Sequence, residues 1–371
     1  MFDNYNFRKY DIFLVLLCIA ISMLGIVFIK SADESYVNRQ KMGLIMGLVF
    51  MVFFSILSYS FILKFYWLIY IFSIAMLVAV QFFGDSGGGA QRWFEIGGFR
   101  FQPSELVKIL LILFYAAFIM KHRENINTVR IILASVLLVL PPFYLIFSQP
   151  DLSTSIMIIA IFGVVMFIGG VSWKVIVSVL AIGIPSFVLA LRYAMQDSVD
   201  ILGDYQKNRI LAWLYPEEYS TTEAYQTLNA MTAIGSGQLT GKGLNNNVIA
   251  SVKNGNYISE AQTDFIFAVV GEETGFVGSC TVIILLFLIV IAIVLIGRKA
   301  KDLAGQIICA GMAGLIGVQT FINIGVVTGL LPNTGLPLPF VSYGLTSLVS
   351  LFIGIGIVLN VKLQSMQYIF E

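Results

Sequence analysis

The chain contains one histidine, His122, in 371 residues. That excludes a histidine-based catalytic pair and any His-rich metal site. Its three cysteines, Cys18, Cys280 and Cys309, each fall inside an apolar run, so they read as small core residues with no disulfide or zinc framework. Charged residues make up only 12% of the chain and the net charge is +1, which leaves no basic surface for nucleic acid. Nothing is low-complexity and no internal repeat is visible.

What is present is apolar sequence. Hydrophobic residues account for 58% and mean hydropathy is +0.90, far outside the soluble range. A bilayer core needs about 20 apolar residues per helix. About ten such runs can be read, at 11–31, 41–59, 64–83, 103–120, 131–148, 152–169, 173–193, 276–296, 303–330 and 341–361. Backbone polar groups must be satisfied internally in lipid, so the expected fold is all-α and polytopic. The first run lacks a small-residue cleavage site, which predicts an anchor in place of a cleaved leader. With the N-terminus placed in the cytoplasm, the short cytoplasmic turns hold more Lys and Arg than the short outer ones. That predicts both termini inside.

Under this topology the polar material gathers on the outer side. It comprises the loop 84–101, the turn 148–151, a long segment at 194–263 between spans 7 and 8, and the loop 331–340. The long segment is predicted to hold short helices at 206–214 and 222–234, followed by a Gly-rich turn. From 264 to 298, about 34 residues of unbroken helix would measure roughly 50 Å, too long for one crossing. A short helix to 274, a break at Gly275 and a span from 276 are expected. Leu331-Pro332-Asn333-Thr334-Gly335-Leu336-Pro337-Leu338-Pro339-Phe340 is too rich in proline for an ordinary helix and is expected to re-enter or pack under the long segment.

Candidate site residues are the charges that open apolar helices. Glu105 and Lys108, three residues apart in Gln102-Pro103-Ser104-Glu105-Leu106-Val107-Lys108, share a helix face. Glu105 at N3 suits the helix dipole, whereas Lys108 opposes it and needs a partner or an anionic ligand. Asp264 and Asp151 both stand at helix starts, where a carboxylate can be a cap or a catalyst. Glu272 and Glu273 need donors or cations and are read as holding helices together. Arg92, Arg100, Arg209 and Lys242 form an outer set of cations suited to a lipid diphosphate. The glycines around Ser236 and Lys242 lack the phosphate-loop spacing.

In this order, Gly89-Ala90-Gln91-Arg92-Trp93, residues 101–108, Gln149-Pro150-Asp151-Leu152, 235–243, 263–278 and 332–344 resemble the SEDS family of bacterial membrane proteins. That group contains RodA, FtsW and SpoVE, and the likeness, nearest RodA, covers almost the whole chain. This sequence carries Gln262, Gln238 and Leu345 where the family usually has His, Gly and Gly. The resemblance implies a peptidoglycan glycosyltransferase that polymerises lipid II at the outer face of the bacterial cytoplasmic membrane, in elongation, division or sporulation. It implies a class B penicillin-binding protein as the transpeptidase partner. It also implies Asp264 as the essential carboxylate, with Arg100, Glu105 and Lys108 lining a central cavity and Gln226 contributed by the long segment.

A β-linked product from an α-linked sugar diphosphate requires one inversion, so one base suffices. Asp264 is expected to be that base, with neighbouring cations lowering its pKa. A divalent cation, Mg or Mn, is an optional aid, although no metal-ligand spacing is evident. The alternative readings are a lipid II flippase or other transporter, and a scaffold in which the charges only fix packing.

Overall fold

The computed structural model describes residues 10–87, 90–96, 99–149, 151–194, 204–244 and 258–365. The helices are α1 (Ile12–Ala32), α2 (Val37–Ile56), α3 (Tyr59–Ile62), α4 (Tyr66–Phe83), α5 (Pro103–Lys121), α6 (Val129–Ser148), α7 (Leu152–Ile168), α8 (Trp173–Ala194), α9 (Asp204–Leu214), α10 (Tyr225–Gly237), α11 (Ile266–Arg298), α12 (Leu303–Val327) and α13 (Leu345–Leu363). Among the described residues, eight helical stretches are long and apolar enough to cross a bilayer. Apolar helices α7, with 17 residues, and α8 complete the ten expected runs.

The bundle is built around α5, the most enclosed of the long spans, with α12 and α13 beside it. Small residues let these helices approach closely, as is usual where lipid removes the hydrophobic drive for association. A Cβ on Gly47 of α2 would lie 2.6 Å from the Phe352 ring of α13, and one on Gly356 of α13 would lie 2.5 Å from Met51 O of α2. Polar rungs lock the same seam: Asn360 Nδ2 donates to Ser55 O (2.8 Å) while its Oδ1 accepts from Tyr59 N (2.8 Å).

The polar segments gather at one end of the bundle. Three short strands, β1 (Asp85–Gly87), β2 (Ala90–Ile96) and β3 (Phe99–Phe101), form an antiparallel sheet in the order β1-β2-β3 that sequence patterning did not anticipate. The segment between α8 and α11 carries α9 and α10, close to the two short helices expected there. The 331–344 stretch is irregular, with Leu336, Leu338 and Phe340 buried.

α11 breaks where length demanded it. Gly275 sits at φ 63°, ψ −158°, inside an otherwise helical stretch. A helix interrupted this way loses ladder bonds, and the turn after α10 supplies replacements. Lys242 N and Gly243 N donate to the carbonyls of Glu272 and Glu273, while Phe276 N and Val277 N donate to Gln238 O and Leu239 O. Gly237 and Gly241 permit this approach: a Cβ on either would lie 2.0–2.1 Å from a carbonyl oxygen of α11. The side chains follow the same pattern. Lys242 Nζ pairs with Glu272 at 2.8 Å, and Ser31 of α1 hydrogen-bonds Glu273. Both glutamates therefore tie elements together, as their sequence position suggested.

Candidate active site

Pro103 occupies the start of α5, where its missing N–H costs nothing, and brings Glu105 into the first turn. Glu105 Oε1 accepts from Lys108 Nζ at 2.7 Å, with both side chains buried. Lys108 thus has the partner its opposition to the helix dipole called for. Its Nζ also donates to Gln319 Oε1 of α12 (3.3 Å), and Gln319 Nε2 continues to Pro337 O (2.8 Å). The ion pair is thereby fastened across α12 to the irregular 331–344 segment.

One turn further along α12, Asn323 Nδ2 donates to two carbonyls, Asp264 O (2.8 Å) and Leu336 O (2.6 Å). The carbonyl before Asp264, on Thr263, accepts from Ser342 Oγ (2.7 Å), and the one before that, on Gln262, accepts from Tyr343 N (2.8 Å). Three consecutive carbonyls are pinned. The backbone carrying Asp264 is therefore fixed from two directions before its side chain makes any contact.

Asp264 and Asp151 part company here. Asp151 caps α7, accepting from Thr154 N (3.0 Å) and Thr154 Oγ1 (2.9 Å). Asp264 caps nothing: the N-cap of α11 is Phe265 and no side chain caps that end. The Asp264 carboxylate instead points towards Gly335, whose φ is +75°. A Cβ added there would lie 3.2 Å from Asp264 Oδ2 and 3.9 Å from Arg209 Nη1. The glycine leaves a cradle between a carboxylate and a guanidinium.

Burial pushes the Asp264 carboxyl up to about 6, with Arg209 opposing, Glu260 and Asp151 adding to the rise, and Arg92 opposing. This corrects the expectation that neighbouring cations would hold it low: desolvation outweighs them. A base near neutrality accepts a proton more readily than an ordinary aspartate.

The remaining candidates are distributed around this centre. Arg92 on β2 donates through Nε to Gln149 O (2.8 Å), and Gln149 Nε2 donates to Leu77 O, stitching the sheet to α4 and the end of α6. Arg100 on β3 is exposed, and its carbonyl accepts from Thr346 Oγ1 (3.1 Å). Arg209 of α9 faces Asp264 across Gly335. Gln226 of α10 hydrogen-bonds Ser259. Lys242 lies apart from this group in the α11 break, paired with Glu272. Pro150 and Gly89, part of the quoted motifs, fall outside the described residues.

Gln319, Asn323, Ser342 and Gly335 were not singled out from sequence. Two amides four residues apart within an apolar span were the available signal, because polar side chains in lipid-facing sequence turn inwards to partners. As a metal cage the site fits poorly. Asp151 is committed to Thr154 and Glu260 accepts from Gln262 Nε2 (3.1 Å), and no group of three or more His, Cys, Asp or Glu is poised for an ion among the described residues.

Residues 8–367 match the family model described as cell cycle protein, FtsW/RodA/SpoVE. The chain is 34% identical to peptidoglycan glycosyltransferase MrdB of Escherichia coli K12, over 97% of each chain. It is 31% identical to stage V sporulation protein E of Bacillus subtilis, covering 96% of this chain and 97% of that one. In solved structures it superimposes with a TM-score of 0.79 and 31% identity on a chain from a peptidoglycan synthase complex that coordinates polymerization and crosslinking, covering 95% of this chain and 97% of that one. The rod shape determining protein RodA of Thermus thermophilus gives a TM-score of 0.71 at 29% identity, over 96% of this chain and 98% of that one. The pinned Asp264, the enclosed Glu105–Lys108 pair and a likeness that runs the length of the chain lead to one conclusion: this protein belongs to the FtsW/RodA/SpoVE, or SEDS, family.

Proposed function

We propose that this protein is an inverting peptidoglycan glycosyltransferase that polymerises lipid II at the outer face of the bacterial cytoplasmic membrane. The observation that carries the reading is Asp264: a carboxylate that caps no helix, raised to about 6, on a backbone held at three successive carbonyls. The acceptor's 4-hydroxyl attacks the anomeric carbon of the donor as Asp264 takes its proton. The bond from that carbon to the diphosphate oxygen breaks, and the lipid diphosphate leaves. Developing negative charge on the leaving group needs fixed positive charge. Arg100, exposed on β3, and Arg92 serve it. Arg209 orients the base. Lys108 is committed to Glu105 and Gln319, so the pair shapes the wall. A Mg or Mn ion, where one takes part, would be held mainly by the substrate's diphosphate.

The charge bias of the turns supports cytoplasmic termini, and kinship with a chain from a peptidoglycan synthase complex supports a class B penicillin-binding protein as partner. A flippase would need Glu105 and Lys108 to line a path; their closure by Gln319 speaks against one. The test is polymerisation of labelled lipid II by purified Asp264→Asn. Removing a positioned base should lower the rate by about 10² to 10⁴. Polymer made at the wild-type rate would sink the assignment.

A further inference from the structure

A cavity not used in the mechanism above lies beside Arg209. It measures about 60 Å³ and is framed by α9, α10 and the segment following α12. Its lining sorts by chemistry. Leu228 and Met231 of α10 are apolar, Trp213 of α9 offers an aromatic ring, and Arg209, Glu223 and Asn333 are polar. The Trp213 ring is held by its Nε1–H, which donates to Gly329 O at 3.2 Å.

The charges decide what can enter. The Thr222 hydroxyl holds Glu223 below the usual carboxylate range, and Asn208 Nδ2 donates to it at 3.1 Å. An ionised Glu223 repels a diphosphate, so the cavity does not suit the anionic part of the substrate despite Arg209. A lipid tail is disfavoured equally, because four of the lining side chains, Thr227 among them, are polar. A neutral ligand with both polar and apolar parts fits.

Unmet hydrogen bonds narrow it further. Buried polar groups are nearly always satisfied. Yet Asn333 Oδ1, in the cavity lining, is buried without a partner. An acetamido group supplies one N–H, one carbonyl and one methyl, which match an unmet amide and an apolar patch. On this measure one water needs about 10–15 Å³, so the cavity offers room for about four waters and for such a substituent.

We propose that this cavity is the subsite for the 2-acetamido group of the acceptor sugar. The assignment rests on the reading of Asp264 as the base that faces the acceptor's hydroxyl. Asn333 lies two residues before Gly335, where an added Cβ would meet Asp264, and two residues span at most roughly 7 Å. That is of the order of the reach across one pyranose ring, from the hydroxyl being deprotonated to the substituent at carbon 2. The cavity would then select amino sugars that carry the acetyl group.

Binding can be measured without turnover. The Asp264→Asn protein in nanodiscs is titrated with a fluorescent short-chain lipid II and with the same compound lacking the acetyl group on its terminal glucosamine. The acetylated probe should bind about tenfold more tightly. Adding Asn333→Ala should cost that factor on the acetylated probe and leave the other unchanged. Equal affinities for the two probes, no binding of either, or the same Asn333→Ala penalty on both would overturn the subsite. The probe comparison needs no substitution at Asn333, so a poorly folded Asn333→Ala does not rescue or sink it. Wild-type polymerisation, run in parallel, reports on the enzymatic reading separately.

Discussion

Gly335→Ala should slow the enzyme about tenfold through less than an ångström of displacement. Two costs can be worked out from the structure. The backbone at φ +75° places any L-side chain in the left-handed region, about 1–2 kcal/mol less favourable. The new Cβ would also stand 3.2 Å from Asp264 Oδ2, tight enough that the carboxylate must give way by a few tenths of an ångström. Misplacing a catalytic group by about 1 Å can cost on the order of 10²-fold, so kcat should fall roughly tenfold. Gly170→Ala is the control. Its φ is +94°, with nothing within 4 Å of the added Cβ, so it bears the backbone cost alone. Lipid II polymerisation and Tm are measured for both variants in the same detergent. The reasoning predicts similar losses in Tm, with kcat reduced only in Gly335→Ala. Wild-type kcat in Gly335→Ala, at a Tm matching the control, would refute the cradle.

Four further outcomes follow from the same geometry. With the Asp264 carboxyl raised to about 6, kcat/KM should fall tenfold per pH unit below about pH 6 and level off above it, and a profile flat down to pH 5 would contradict the assignment. Because the fold favours the protonated acid, Asp264's contribution to stability is full below the ordinary carboxylate range and is lost as pH rises through about 6, so Asp264→Asn should remove that part of the pH dependence of Tm. Glu105→Gln strands a buried ammonium and should destabilise by about 3–5 kcal/mol, whereas adding Lys108→Met should recover most of the lost Tm; a single variant as stable as the wild type would mean the pair is not enclosed. Asn323→Ala leaves the buried Leu336 carbonyl unmet, about 1–3 kcal/mol, together with the partly buried Asp264 carbonyl, and should lower kcat with little change in KM; a KM effect alone would assign Asn323 to substrate instead.

The spans were legible because lipid imposes one rule on every residue in them, and long apolar runs leave few alternatives. The break at Gly275 was legible for a related reason: the run exceeded the membrane. Glu105 and Lys108 announced themselves as charges that an apolar helix would not otherwise carry. The difference between Asp151 and Asp264 was not legible, since both precede helices and only the folded chain brings Thr154 to one and a glycine cradle to the other. The raised Asp264 carboxyl was misjudged because cations can be counted in a sequence and desolvation cannot. Lys242 was grouped with the phosphate-binding cations for want of its partner, Glu272, thirty positions away in the chain. The small sheet escaped because its strands are short and two of them have only three residues.

The exchange of backbone hydrogen bonds at Gly275 has a consequence for chimeras. The turn 238–243 and the α11 residues 272–277 complete each other's ladders, so neither has an intact backbone without the other. Transplanting the long segment from a relative while keeping the host's helix would pair mismatched halves, with glycines required on both sides of the joint. The exchangeable unit is therefore discontinuous in sequence: residues 237–243 travel with 271–277. A library built by swapping contiguous loops would sample mostly broken joints, while one that moves both pieces together would keep α10, and the cavity it helps to line, in register with Asp264.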